Sequence, residues 1–190
     1  MTLTGRHVRL EPLSLDHLDA LVEIGLDPDI WRWSPQSITT AQDLRAYVET
    51  ALDERERGVS LPFATVSLDD NRVVGSTRYG NVALGDRRVE IGWTWIAPAW
   101  QRSAVNTEAK LLMLTHAFET LGCRRVELKT DGLNERSRRA IRRLGAREEG
   151  TFRKHMSTDT GRVRDTVMHS IVDDEWPTVK TGLTERLARG

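Results

Sequence analysis

A strand, a short loop and a helix follow one another in the segment WIAPAWQRSAVNTEAK, residues 95–110. The N–H groups in the first turn of a helix have no intrahelical acceptor, and the helix dipole places partial positive charge there. Small side chains at Ser103 and Ala104 let an anion approach this backbone closely. The junction therefore predicts a pyrophosphate site formed mainly by backbone amides. An ordinary strand-to-helix connection is the alternative that these residues alone leave open.

Charge and cysteine content restrict the partners that such a site can have. Lysine and arginine number 28 and aspartate and glutamate number 28, so the net charge is zero and no global field attracts nucleic acid. A local cluster must therefore hold any anionic ligand. The lone Cys123 excludes an internal disulfide, and no apolar run has the length of a signal peptide core or a transmembrane span. We expect a cytoplasmic protein with no nucleic-acid and no membrane partner.

The histidines and the cysteine show no arrangement that suggests metal or covalent chemistry. No metal-ligand spacing relates His7, His17, His116, His155 and His169. Cys123 lies at a predicted turn without an obvious base beside it. We therefore expect no metal and no covalent nucleophile.

Hydrophobic periodicity predicts the elements that must position the junction. Strands are predicted at 7–12, 62–68, 72–82, 87–96, 125–129, 147–154 and 163–172, and helices from Ser14, at 40–58, 107–121 and 134–144, and around 176–187. This order predicts an α/β or α+β sandwich with helices on both faces of one sheet. We expect a single domain over residues 1–190.

Three boundaries matter for the site. Strict alternation in 87–96 places Val89, Ile91, Trp93 and Trp95 on one face of the sheet and Glu90, Gly92, Thr94 and Ile96 on the other. The helix after the junction is predicted to start at Asn106 or Thr107. Asn134 is predicted to cap the helix 134–144.

Three stretches together resemble the GNAT acetyltransferases, specifically the RimJ/RimL-type branch that includes ribosomal-protein N-terminal acetyltransferases. They are LTGRHVRLEPLSLDHLDAL, VEIGWTWIAPAWQRSAVNTEAK and LKTDGLNERSRRAIRRLGAREEG. The resemblance covers nearly the whole chain and implies a GNAT fold. This is a mixed, mostly antiparallel sheet of about seven strands with helices on both faces, splayed between its fourth and fifth strands. It also implies acetyl-CoA as the co-substrate and N-acetyl transfer as the activity.

The resemblance assigns the predicted anion site to the pyrophosphate of coenzyme A. The family loop usually reads Gln or Arg, two residues, Gly, one residue, then Gly or Ala, where this chain has Gln101, Ala104 and Asn106. Ala and Asn restrict a backbone that Gly would leave free, although Asn tolerates left-handed conformations, so we expect binding to be retained. The implied cofactor-binding residues are Trp95, Ile96 and Ala97 through their backbone, then Gln101, Arg102, Ser103, Ala104, Val105, Asn106 and Thr107, and Asn134 at the later helix.

Arginines near the two helix starts could bind the 3′-phosphate of the cofactor. They are Arg102, Arg136, Arg138, Arg139 and Arg142. For most of them a solvated helix face is the competing interpretation. We expect Arg102 to contact a phosphate.

Two residues are candidates for proton transfer. Glu90 precedes Gln101 on the strand that leads to the cofactor, at a spacing that resembles the general-base glutamate of several GNAT lysine acetyltransferases. A structural carboxylate paired with an arginine is its alternative role. Ser137 matches the serine that RimL-type enzymes place near the departing thiolate. The tyrosine that many other GNAT enzymes use one turn later is replaced by Ile141.

The resemblance places Trp31, Trp33, Arg78 and Tyr79 on the acceptor side of the cleft, although hydrophobic staples in a helix–helix loop are the alternative for the tryptophans. The implied reaction moves an acetyl group directly, in a ternary complex, to a protein N-terminus or a small primary amine. Succinyl-CoA or another acyl donor, and a non-catalytic acyl-CoA-binding module, remain alternatives. The oligomeric state is open, with a homodimer among the options.

Overall fold

The computed structural model describes residues 1–189, whose strands form one eight-stranded sheet in the order β1-β2-β3-β4-β5-β6-β8-β7. The strands are β1 (Leu3–Thr4), β2 (Val8–Pro12), β3 (Leu61–Ser67), β4 (Arg72–Ala83), β5 (Arg88–Ile96), β6 (Arg125–Asp131), β7 (Arg147–Ser157) and β8 (Val163–Val172). The helices are α1 (Leu18–Gly25), α2 (Pro28–Trp31), α3 (Ala41–Glu56), α4 (Ala104–Thr115), α5 (Glu135–Arg143) and α6 (Trp176–Ala188).

Each face of the sheet has its own hydrophobic core. One core contains Val105, Ala109 and Met113 of α4, together with apolar residues of α5 and α6. The other contains Leu21 of α1 and Leu44 of α3. The predicted α/β fold, with helices on both faces of a mixed and mostly antiparallel sheet, is confirmed. The sheet has eight strands instead of about seven because β1 adds a two-residue strand at one edge.

The sheet opens between β5 and β6. These two strands are parallel neighbours, but only Arg88–Glu90 pairs with Arg125–Glu127. Beyond these residues the facing edges of β5 and β6 carry no strand partner, so the two strands bound a gap, called here the β5–β6 gap. If β1 is set aside, they are the fourth and fifth strands of the chain, as predicted.

A bulge in β5 overturns the predicted alternation of its side chains. Trp93 has a φ of 49°, and the β4–β5 register shifts between Ser76 and Arg78. The extra residue reverses the pleat, because two residues of a bulged strand oppose one of its partner. Ile91 and Ile96 therefore lie in the α4-side core, whereas Trp95 packs in the α1–α3 core.

Helix α4 is held against the first strands by a buried carboxylate. Glu108 accepts hydrogen bonds from the backbone N–H groups of Arg6, His7 and Val8 at 2.8, 2.6 and 2.9 Å. A Cβ at Gly5 would lie 2.4 Å from the Glu108 Cδ, so glycine leaves room for the carboxylate in this position. These bonds fix the position of the helix whose N-terminus faces the gap.

None of the helices within residues 1–189 combines the length and apolar character needed to cross a bilayer.

Candidate active site

The helix at the predicted anion site begins earlier than its sequence suggested. Helix α4 starts at Ala104, and its N-cap is Ser103, whose Oγ accepts from the Val105 N–H at 3.3 Å. The prediction of a start at Asn106 or Thr107 was wrong because a serine followed by alanine and valine also makes a stable first turn. The first-turn amides therefore belong to Ala104, Val105 and Asn106.

The altered glycine positions of the loop impose no backbone strain. Ala104 and Asn106 both lie inside α4, and the loop residue with a left-handed backbone is Arg102, with a φ of 63°. The replacement of glycine by Ala or Asn is therefore compatible with the helical conformation that these positions adopt. This removes the reason for suspecting a distorted, non-binding loop.

Four of the predicted cofactor residues could contact a ligand only through their backbone. The side chains of Trp95, Ile96, Ala97 and Val105 are buried in the two cores. Arg102 and Ser103 are exposed, and Thr107 is half-buried.

A chain of hydrogen bonds spans the mouth of the gap. The Gln101 Nε2 donates to the Ile96 carbonyl oxygen at 2.8 Å, and the Arg136 Nη1 donates to the Gln101 Oε1 at 2.8 Å. Because Arg136 belongs to α5, the chain joins both sides of the gap. A ligand donor at the Ile96 carbonyl would either share this oxygen with the Gln101 amide or displace it.

Asn134 and Ser137 lie on the β6 side of the gap, at the start of α5. The predicted cap is present, since the Asn134 Oδ1 accepts from the Ser137 N–H at 3.0 Å. This bond leaves the amide nitrogen of Asn134 available for a second contact. The Ser137 side chain is half-buried in the first turn.

Glu90 lies where β5 and β6 begin to separate. Its side chain is buried, and its Oε2 accepts from the Asn81 Nδ2 at 2.6 Å and from the Lys129 Nζ at 2.9 Å. A Cβ at Gly92 would lie 2.7 Å from the Glu90 Oε1, so the glycine leaves room for the carboxylate. Glu90 therefore forms an ion pair, as its alternative role predicted, but the partner is a lysine from β6 and not an arginine.

The four predicted acceptor residues lie in different parts of the molecule. Tyr79 packs in the α4-side core, where its hydroxyl donates to the Met113 carbonyl oxygen at 2.5 Å and burial raises its pKa. Its side chain faces away from that of Arg78, because neighbouring strand residues point to opposite faces. Trp31 is buried in the α1–α3 core, and its Nε1 donates to the Gly25 carbonyl oxygen at 2.6 Å.

Arg78 and Trp33 remain on the α1–α3 side of the sheet. The Arg78 guanidinium is buried between the rings of Tyr47 and Trp93, 5.0 Å from each centroid, and it donates to the Glu54 Oε2 at 2.9 Å. Trp33 is half-buried, with the guanidinium of Arg162 5.5 Å from its ring centroid.

Comparisons with known proteins identify the family. The acetyltransferase (GNAT) domain matches residues 7–147. The chain belongs to the GNAT acetyltransferases. It is therefore a transferase, and members of this family move an acyl group from an acyl-CoA. The predictions of family and enzyme class are confirmed.

Individual relatives agree with this assignment. A GCN5-related N-acetyltransferase from Brucella melitensis is 31% identical, with a TM-score of 0.91 covering 98% of this chain and 85% of its own. Bacillus subtilis YdaF, provisionally named a ribosomal N-acetyltransferase, is 33% identical over 57% of this chain and 58% of its own. Mycobacterium smegmatis RimJ, solved with CoA-disulfide, has a TM-score of 0.84 at 24% identity, covering 98% and 94%. The likeness to RimJ shows that the two chains share a fold.

The acetyltransferase also contains a charged cluster that sequence reasoning missed. Asp131 of β6, Arg164 of β8 and Arg162 of the turn before β8 come together beside Glu90 and Lys129. Their separation in sequence, at 31 residues between Asp131 and Arg162, gave no local signal. To find this cluster from the sequence, one would have had to predict that β6 and β8 are neighbouring strands.

A second missed group is Lys110 of α4, which is buried beneath the bulge. Its Nζ donates to the hydroxyls of Thr77 and Thr94 at 3.0 and 2.5 Å. Burial lowers the pKa of Lys110 to about 7. Thr94 is exposed, so this polar group extends from the α4-side core to the surface of the acetyltransferase.

Within residues 1–189 of the acetyltransferase, no three His, Cys, Asp or Glu side chains are grouped in a way that could hold a metal ion. The absence of a metal requirement stays a prediction.

Proposed function

We propose that this GNAT enzyme transfers the acetyl group of acetyl-CoA to a primary amine by direct attack in a ternary complex. The observation that carries the proposal is the β5–β6 gap, which opens beside Glu90 and has the N-terminus of α4 at its mouth. A cofactor bound at that helix start can pass its arm along the unpaired edge of β5. Its thioester then lies near the point where the strands separate.

The cofactor is held mainly by backbone. The amides of Ala104, Val105 and Asn106 face the pyrophosphate, with Arg102 adding a positive charge. The unpaired edge at Trp95 and Ile96 bonds the pantetheine arm as an added strand would. Support comes from the family, which uses acetyl-CoA, and from the CoA-disulfide bound to RimJ.

The proposed reaction has two proton transfers, one at Glu90 on β5 and one at Ser137 in the first turn of α5. The neutral amine attacks the thioester carbonyl carbon, and backbone donors stabilise the oxyanion that forms. Glu90 takes the proton from the attacking nitrogen, directly or through water. The C–S bond then breaks, and Ser137 donates a proton to the departing thiolate.

The acceptor is a peptide N-terminus or a small primary amine that enters from the α1–α3 side. The exposed part of Trp33 suits an amine through cation–π contact and shape. The provisional ribosomal name of YdaF favours the peptide. Cytoplasmic location and a homodimer stay predictions from the sequence.

Release of free thiol from acetyl-CoA, measured with a panel of amines and peptides, tests the proposal. Glu90→Gln and Ser137→Ala should each lower kcat by about 100-fold, with little change in the Kd of acetyl-CoA. Glu56→Gln in α3 and Thr181→Ala in α6 are controls, since both residues are exposed and neither is assigned to the site. Wild-type rates in both active-site variants would remove these roles, and a failure to bind acetyl-CoA would refute the function.

A further inference from the structure

Arg164 is a buried arginine without a hydrogen bond to its Nε. Its side chain is 6% exposed, and its nearest carboxylate atom is the Asp131 Oδ2, 3.9 Å from the Nε and beyond hydrogen-bond distance. A guanidinium stays charged at all ordinary pH values. Because an unpaired buried charge costs several kcal/mol, roughly, a partner for Arg164 is expected.

Asp131 is only a distant partner for Arg164, because each of its oxygens accepts a shorter bond from another group. The Oδ2 accepts from the Arg162 Nη2 at 2.5 Å, and the Oδ1 accepts from the Leu133 N–H at 2.9 Å. One carboxylate therefore serves two guanidinium groups. The hydroxyl of Thr166, which lies opposite Asp131 in the β6–β8 register, is also buried without a partner.

The charges on this side of the gap do not balance. Lys129 pairs with Glu90, and Arg78 pairs with Glu54. Arg162 pairs with Asp131. Arg164 shares Asp131 with Arg162 and lies within electrostatic range of Glu90. Four cations of this group therefore face three carboxylates, which leaves one excess positive charge beside the carboxylate to which we assign the proton transfer.

The charged cluster of Asp131, Arg162 and Arg164 lies beside the two segments that we expect to bound the acceptor side, the turn between β7 and β8 and the loop between α2 and α3. The backbone N–H of Asp159 donates to the Pro35 carbonyl oxygen at 2.9 Å, and the Ser37 N–H donates to the Asp159 Oδ2 at 3.2 Å. The turn between β7 and β8 is thereby joined to the loop between α2 and α3. Arg162 stacks on Trp33 of the α2–α3 loop and donates to Asp131 of β6, so it connects the two segments to the charged cluster.

We propose that Arg164 binds a carboxylate carried by one of the two substrates. The inference rests on the proposed acyl transfer and names a feature of its substrates. The carboxylate belongs to the acceptor, as in an amino acid or a peptide with an acidic residue near its N-terminus, or to the acyl group of a donor such as succinyl-CoA. In either position it neutralises the excess charge and accepts hydrogen bonds from the guanidinium.

Two matched substrate pairs test this with wild type, Arg164→Gln and the exposed control Arg153→Gln. The first pair compares amines bearing a carboxylate with the corresponding amides, using acetyl-CoA. The second compares succinyl-CoA with acetyl-CoA, using a neutral amine. We expect wild type and Arg153→Gln to prefer the carboxylate in one pair by at least about 10-fold in kcat/KM, and Arg164→Gln to lose that preference.

The pair that shows the preference identifies which substrate carries the carboxylate. Equal rates within both pairs for wild type, or a preference that survives in Arg164→Gln, would overturn the inference. Should Arg164→Gln fold poorly, Arg164→Lys keeps the charge without the fork and is expected to reduce the preference in part.

Failure of the proposed acyl transfer has a different signature. In that case no combination releases thiol, and calorimetry with succinyl-CoA, acetyl-CoA and the aminocarboxylates then measures carboxylate binding directly. Absence of any carboxylate-dependent binding by wild type would also overturn the role of Arg164. Acetylation of neutral and anionic amines at equal rates, together with equal use of both donors, would leave the acyl transfer intact and remove only this inference.

Discussion

At the β5–β6 gap, the two faces of the sheet present different kinds of chemical group. The α4 side presents backbone amides from a short continuous segment around Ser103 and Ala104. The α1–α3 side presents charged side chains, Glu90, Asp131 and Arg164, that come from three different strands. Helix dipoles act on the first side, and paired and unpaired ions act on the second.

This difference teaches where each side is vulnerable. A backbone site tolerates changes of side chain until one blocks or repels the ligand. A buried ion cluster depends on every member, since removal of one charge leaves its partner unpaired. The following four predictions test that contrast, in decreasing order of free-energy change.

The largest effect is expected from Asp131→Asn. This change leaves Arg162 and Arg164 without their shared anion, so the free energy of unfolding should fall by about 3–5 kcal/mol. Arg164→Gln, at an equally buried position, should leave stability unchanged or raise it, because it removes the excess charge. Urea unfolding of both variants measures this, and equal losses would show that the cluster is electrically balanced.

On the other side, Ala104→Asp should weaken binding without weakening the fold. A carboxylate in the first turn of α4 repels the pyrophosphate, and we expect the Kd of acetyl-CoA to rise by about 100-fold, or about 3 kcal/mol. The same charge favours the helix dipole, so Tm should not fall. Calorimetry with Ala104→Ser as the neutral control decides, and unchanged affinity would place the pyrophosphate elsewhere.

Lys110 extends the contrast into the α4-side core, where a buried amine has hydroxyl partners and no carboxylate. Its folded-state pKa of about 7 lies below the ordinary lysine value of 10.5, so the unfolded chain binds the proton more tightly between these values. Stability should therefore rise with pH above 7, by about 2 kcal/mol up to pH 8.5. This rise should be absent in Lys110→Met and retained in the exposed control Lys154→Met, as measured by urea unfolding at both pH values. A parallel rise in all three proteins would assign it to other groups.

The smallest effect is expected from restoring the family's glycine with Ala104→Gly. Since Ala104 is already helical, we expect no gain in acetyl-CoA affinity beyond a factor of about two and a loss of stability of up to about 1 kcal/mol. Thermal unfolding and calorimetry measure both. A large gain in affinity would mean that Ala104 distorts the loop.

More features of the α4 side than of the α1–α3 side could be predicted from the sequence. The strand, loop and helix around 95–110, the cap at Asn134 and the separation of two parallel strands could all be predicted, because they depend on local patterns or on the family likeness. The bulge at Trp93 could not, since strict alternation gave no sign of an extra residue. That bulge decides which core receives Trp95.

The amino-acid sequence by itself determined the family, the main order of elements and the presence of a helix start after the loop that follows β5, although not its first residue. Tertiary structure alone decided that Tyr79 is buried, that Glu90 pairs with Lys129, and that Asp131 lies between Arg162 and Arg164. The physical reason is the separation along the chain over which each kind of interaction acts. Caps, turns and periodicity act over a few residues, whereas the balance of buried charges depends on which distant strands become neighbours.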